Sequence, residues 1–139
     1  MSHVFFTDRN LGKQFPAILA AAGLNVERHH DLFAPAGSDE EWLEYCGTKS
    51  RIAITHDQRI RHKVNERDAV ILHKVALLIV IGKAPFPVLA HAFVASLPRI
   101  EKFLTIHTAP FIAKVYRPAP TPAASSGPAP GNIDLWYPK

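Results

Sequence analysis

At 139 residues the chain is long enough for one domain with a real core, and its 47% apolar and 20% charged residues are ordinary for a soluble globular protein. The formal net charge of +4 and the pI near 9.4 lean toward acidic partners such as nucleic acid, and the eight histidines would add charge on mild acidification. Its single cysteine, Cys46, excludes an internal disulfide and suits a reducing compartment. The opening "MSHVFFTDRN" has no apolar stretch of signal-peptide length, and the longest apolar run, "VALLIVIG", is too short to span a bilayer. A cytoplasmic protein with no membrane partner is expected.

In chain order, "HVFF" (3–6) reads as a short buried strand ending at Thr7 and Asp8. Leu11, Phe15, Ile18, Leu19 and Ala22 recur at helical spacing, with Asn10 as N-cap and Gly23 as stop. "NVERHH" (25–30) reads as a second strand, "DLFAPAG" as a loop, and "SDEEWLEYCGT" opens a second helix. There Ser38 and Glu41 have the spacing of a capping box, and Asp39 and Glu40 favour the helix dipole. "RIAIT" (51–55) is a third strand, and residues 58–75 are helical in part through Ile60, Val64, Ile71 and Val75. "ALLIVI" (76–81) is apolar throughout, as a strand covered on both faces should be. Phe86, Leu89, Ala90, Phe93, Leu97, Ile100 and Leu104 trace a helical stripe bent or interrupted at Pro98, and "FIAKVY" (111–116) is a fifth strand.

Strand alternating with helix predicts a three-layer α/β domain over residues 1–117, built on a mainly parallel five-stranded sheet. The span from 118 to 131 holds five of the twelve prolines with Ala, Ser and Gly, and reads as a linker. After it, residues 132–139 carry Ile133, Leu135, Trp136 and Tyr137, an apolar end that calls for a docking site. The segment would add an edge strand to its own domain near the acidic rim, or complete an interface with a second copy or another protein.

Ligands of parallel sheets bind beyond the carboxyl ends of the strands. Asp8 and Asp57 each follow a predicted strand, and Asp39 opens a helix. Each one alone is explained by capping a helix. Three on one rim are more than capping requires, and carboxylates that close need cations. Hard oxygen donors select Mg²⁺ or Mn²⁺, which can activate water and stabilise the leaving oxygen in phosphodiester hydrolysis. Arg59, Arg61 and Lys63, just past Asp57, would then hold flanking phosphates.

Together, "FFTDRNLGKQF…LAAAGLNV", "GSDEEWLEYCG" and "IAITHDQRIR" resemble the PIN-like ribonucleases, most of all the small VapC-type toxin-like branch. The likeness covers roughly residues 3–116. It implies a PIN-like fold and a metal-dependent endoribonuclease, often restrained by a cognate antitoxin protein. Residue by residue, Asp8, Asp39 and Asp57 fall on the family's metal-site acids, with Glu40 and Glu66 as further candidate ligands. Asn10, Thr55 and His56 would support them, and Arg9 would join the RNA-contacting bases. The chain departs from the pattern at Arg59, where relatives often carry another acid. That departure gives weight to a rival reading, a non-catalytic PIN-like module that binds RNA or protein. A phosphoacceptor receiver domain fits poorly, since it needs paired acids after the first strand and a lysine ending the fifth, whereas Lys114 lies mid-strand.

Overall fold

The computed structural model describes residues 3–117 and 131–138. The proline-rich span expected as a linker lies, from 118 to 130, outside the described residues. Six strands form one sheet: β1 (Val4–Thr7), β2 (Asn25–Arg28), β3 (Ile52–Thr55), β4 (Ala76–Ile81), β5 (Phe111–Tyr116) and β6 (Ile133–Tyr137). Their order is β2-β1-β3-β4-β5-β6. The first five are parallel, and β6 runs antiparallel to β5.

Alternation along the strands sends successive side chains into two cores, as a pleated strand must. Phe5, Ile54, Leu78 and Val115 face one side, where helices α1 (Gln14–Ala21), α5 (Phe86–Ala95) and α6 (Leu97–Ile106) supply Phe15, Leu19, Phe93 and Ile100. Phe6, Ala53, Leu77 and Ile112 face the other, against Trp42, Leu43 and Cys46 of α3 (Asp39–Lys49) and Val70 of α4 (Val64–Leu72). The result is the expected three-layer α/β/α domain. Cys46 is buried, and burial pushes its thiol far above the usual range, so it acts as a core residue. No described helix is long and apolar enough to cross a membrane.

Several local expectations change. The second strand stops at Arg28, because His29–Leu32 turns into a single helical turn, α2. Asn10 caps nothing: Asp8 caps a 3-10 turn at Arg9–Leu11, and α1 begins only at Gln14. Ser38 is the N-cap of α3, but its side chain makes no cap bond; only its carbonyl accepts from the Glu41 N–H, at 3.2 Å. Residues 58–75 split into a 3-10 turn at Gln58–Arg61 followed by α4. The long stripe also divides, and the break is at Ser96, with Pro98 starting the second helix where its missing N–H costs nothing.

The sheet has six strands where five were expected, because the aromatic tail returns to it. Gly131 makes the return possible, since any Cβ there would collide with the carbonyl of Tyr116. Its N–H donates to the buried Ser96 Oγ at 3.0 Å, and its carbonyl accepts from Arg99 at 3.0 Å. The edge that β6 covers is the β5 edge, three strands away from β1, so the tail adds the edge strand to its own domain that was one of the expectations.

Candidate active site

The strand order places β1 beside β2 on one flank and β3 on the other. The chain leaves β1 for one edge of the sheet, then returns to build the opposite edge. At this reversal the loops diverge and leave a crevice beyond the strand ends. A cleft of about 680 Å³ lies there, lined among others by Asp8, Asn10, Asp39, His56, Asp57 and Arg59.

Thr55, the last residue of β3, organises the floor. It is fully buried, and its hydroxyl donates to Asp8 Oδ2 at 2.8 Å. The same oxygen accepts from Asn10 Nδ2 at 3.2 Å and from the Asp57 N–H at 3.1 Å. One donor and two acceptor sites are all that a hydroxyl has, so Thr55 is saturated. Asp8 Oδ1 takes the Arg9 N–H at 2.7 Å, and the Asp8 N–H pairs with the Ile54 carbonyl at 2.9 Å. Asn10 completes the link by accepting the His56 N–H at 3.2 Å. Residues 8, 10, 55, 56 and 57 thus form one network across two neighbouring strands. The spacing of Thr55 and Asp57 lets the threonine hold the first acid and orient the backbone of the second.

Asp39 comes from the first turn of α3. Trp42, one turn on, is buried and stacked on Phe6 at 5.6 Å, and its indole N–H donates to Asp39 Oδ1 at 3.0 Å. The spacing of Asp39 and Trp42 puts both on one helix face. The tryptophan is therefore a core residue that also aims a carboxylate. Asp57 is held differently. Its Oδ1 caps the following turn by accepting the Arg59 N–H at 3.0 Å, and it also accepts Arg59 Nε at 3.0 Å. Lys63 Nζ lies 3.6 Å from Oδ2. The capping role weighed from sequence is therefore seen, and the same carboxylate is also paired with two bases.

The other expected site residues divide. Arg9, Asn10, His56, Arg59 and Lys63 line the cleft. Arg9 is anchored there, with Nε donating to His29 Nδ1 at 3.2 Å, one terminal nitrogen 2.9 Å from His30 Nδ1 and the other donating to the Phe33 carbonyl at 3.0 Å. His56 Nδ1 is 2.9 Å from the Val80 carbonyl, which can only accept, so Nδ1 donates there. Three residues stand apart. Glu40 is exposed outside the cleft lining, Glu66 pairs with Lys63 at 3.8 Å, and Arg61 turns to Trp136, 5.8 Å over its ring. Sequence reasoning missed His29 and Gln58, which line the cleft. No spacing announces His29; it is identified only by the fold that sets it against Arg9.

Electrostatics separate the acids further. Burial pushes the Asp8 carboxyl up to about 6, and the charges of Asp39 and Asp57 add to the rise against the Thr55 and Arg9 hydrogen bonds. Burial also raises Asp57, but the Arg59 hydrogen bonds and the charges of Arg59 and Lys63 outweigh it and hold that carboxyl below its usual range. His29 is held low by burial and by the Arg9 charge, which keeps it neutral and able to accept from Arg9. Among the described residues no three His, Cys, Asp or Glu side chains close around one point. The donor chemistry nevertheless fits a hard cation. Mg²⁺ commonly takes one or two carboxylates and completes its shell with water and substrate phosphate, and Asp8 and Asp39 are carboxylates whose mutual repulsion a cation relieves.

Fold and site together define a parallel α/β domain with an acidic cleft at its topological switch point. The family described as "PIN like domain" matches residues 3–82, more than half of the chain, and the protein belongs to that family. The matched stretch runs from β1 through β4 and contains Asp8, Asp39 and Asp57. No curated protein and no solved structure matches the chain.

Proposed function

We propose that the protein is a metal-dependent endoribonuclease of the cytoplasm, the toxin of a VapC-like toxin–antitoxin pair. One observation carries the reading: Asp8, buried yet lining the cleft, is tied through Thr55 to the backbone of Asp57 and feels the charges of Asp39 and Asp57, which line the same cleft. Burying a carboxyl beside like charges works against folding, and a bound cation is the natural compensation. Asp8 and Asp39 would hold Mg²⁺ or Mn²⁺, which when bound supplies activation of a water and charge stabilisation at the phosphorus. Thr55 and Trp42 would fix the two carboxylates, Arg9 and Lys63 would meet the flanking phosphates, and His56 would take or give a proton. RNA is the favoured substrate, given the basic balance of the chain, and the cognate antitoxin would bind over the cleft.

The test is cleavage of a labelled single-stranded RNA with Mg²⁺ or Mn²⁺, with EDTA, and with Asp8→Asn. Cleavage that needs the metal and is lost in the variant supports the reading; cleavage that survives in Asp8→Asn overturns it. A second reading is favoured by the Asp57–Arg59 pair, which neutralises one of the three acids. On that reading the cleft binds RNA or protein without cutting, and the same assay returns binding with intact RNA.

A further inference from the structure

The three acids of the cleft differ in what balances them. Asp8 and Asp39 have no ion-pair partner among the described residues, whereas Asp57 has two. Arg59 Nε sits 3.0 Å from Oδ1, and Lys63 Nζ sits 3.6 Å from Oδ2. A carboxylate with a guanidinium and an ammonium on its two oxygens already has its counter-charge. A metal ion reaching Asp57 would have to displace both. Lys63 also lies 3.8 Å from Glu66, so that acid is balanced by the same group.

Resting on the nuclease reading above, we propose that Arg59, backed by Lys63, is the resident counter-cation of Asp57. The cleft then takes a single divalent ion, at Asp8 and Asp39. In place of a second ion it presents the Arg59 guanidinium to a phosphate of the RNA. The side chain of Arg59 is 79% exposed and lines the cleft. Only its Nε and one terminal nitrogen are turned to Asp57, the latter at 3.5 Å. Its remaining terminal nitrogen has no hydrogen-bond partner among the described residues. A planar guanidinium held along one edge offers its other edge to phosphate oxygens, which a flexible ammonium cannot do with the same orientation. Asp57 is accordingly a positioning residue: it sets the guanidinium plane and does not ligate metal.

The experiment is a Mn²⁺ titration of the full chain without RNA, read by electron paramagnetic resonance of the free ion. It compares the wild type with Asp39→Asn, Asp57→Asn and the pair Arg59→Gln/Lys63→Gln. Expected are one ion per wild-type chain, affinity at least about tenfold weaker in Asp39→Asn, and affinity within about twofold in Asp57→Asn. The Arg59→Gln/Lys63→Gln protein should take up a second ion and bind a single-stranded RNA more weakly. Arg59 and Lys63 lie outside both cores, and circular dichroism checks that the variants are folded. Two ions on the wild type, or one ion on the double variant, overturns the inference. Two ions together with EDTA-sensitive cleavage removes this inference alone and leaves the nuclease reading standing. No ion on the wild type and no cleavage removes both.

Discussion

Asp8→Asn is a test of the cleft that needs no substrate. In the native protein Asp8 is 8% exposed, and its pKa rises from 3.8 to about 6. That difference is worth about 3 kcal/mol between the protonated and ionised states. The sign follows from proton binding. Between these two values the folded chain holds the proton more tightly than the unfolded chain, so this group's stabilisation is complete below pH 3.8 and is lost as pH rises through 6. Asp57 and Glu27 act oppositely, since both are held low and lose their stabilisation on acidification. Total stability therefore has no simple trend, and the quantity to follow is the difference between wild type and variant. At pH 7.5 the amide removes the ionisation cost but has a single oxygen, so it keeps only one of the two bonds that Asp8 accepts, from the Thr55 hydroxyl and the Arg9 N–H, a loss of about 1 kcal/mol. The net gain is about 1–2 kcal/mol, or roughly 3–8 °C in melting temperature for a chain of this size. At pH 4 the gain should vanish or reverse. The assay is calorimetric melting in EDTA from pH 4 to 8, repeated with Mg²⁺. The ion should raise the wild type, by about 2.7 kcal/mol at a hundredfold excess over its dissociation constant, and leave the variant unmoved. Parallel curves for the two proteins over that pH range would refute the argument.

Thr55→Val keeps the shape of the floor and removes a saturated hydroxyl, so urea unfolding should show a loss of about 1–3 kcal/mol. The same change should move the pH dependence attributed to Asp8 to higher pH, because the Thr55 hydrogen bond lowers that pKa. Trp42→Phe keeps an aromatic ring stacked on Phe6 but removes the indole N–H that donates to Asp39; Mn²⁺ affinity by calorimetric titration should fall while the fold survives. Deleting residues 118–139 uncovers the β5 edge and the apolar side chains under Ile133 and Leu135. Melting temperature should drop, and light scattering should show self-association through the bared edge; a truncated chain as stable and as monomeric as the whole would show that β6 contributes nothing.

What the sequence made legible was whatever depends on short-range pattern. Alternating apolar strands and helical stripes gave the layers, and the strand ends gave Asp8 and Asp57, because a parallel sheet puts its site there whatever its side chains. Capping was read less well. Asn10 and Ser38 have the chemistry of caps, yet Asn10 is drawn across to Thr55 and His56, 45 and 46 positions away. A local preference worth about 1 kcal/mol yields when a buried hydroxyl needs a donor. Arg9 shows the same limit: its charge is plain in the sequence, but only the fold shows that His29, His30 and the Phe33 carbonyl anchor it. Arg59 and Lys63 were visible as charges, but their pairing with Asp57 depends on a 3-10 turn that the pattern over 58–75 showed only as helical in part.

That turn also links the cleft to the far edge of the sheet. Asp57 caps it at the front, while Arg61 and His62 at its back meet Trp136 of β6, the histidine edge-on at 5.6 Å. Residues 59, 61 and 62 are too close in the chain to move independently, since the His62 N–H closes the turn on the Arg59 carbonyl at 2.9 Å. Docking of the tail strand therefore bears on the orientation of Arg59. The effect should be graded: Trp136 is only partly buried, and a cation–π contact of this kind is worth about 0.5–1 kcal/mol. Trp136→Ala should then lower stability by about 1–3 kcal/mol through lost burial. It should also weaken RNA binding by a smaller factor than Arg59→Gln does, because Asp57 still holds the guanidinium. Fluorescence anisotropy with one labelled RNA ranks the two variants directly. If Trp136→Ala weakened binding as much as Arg59→Gln, the tail strand would be touching RNA itself, and the turn would not be the route between them.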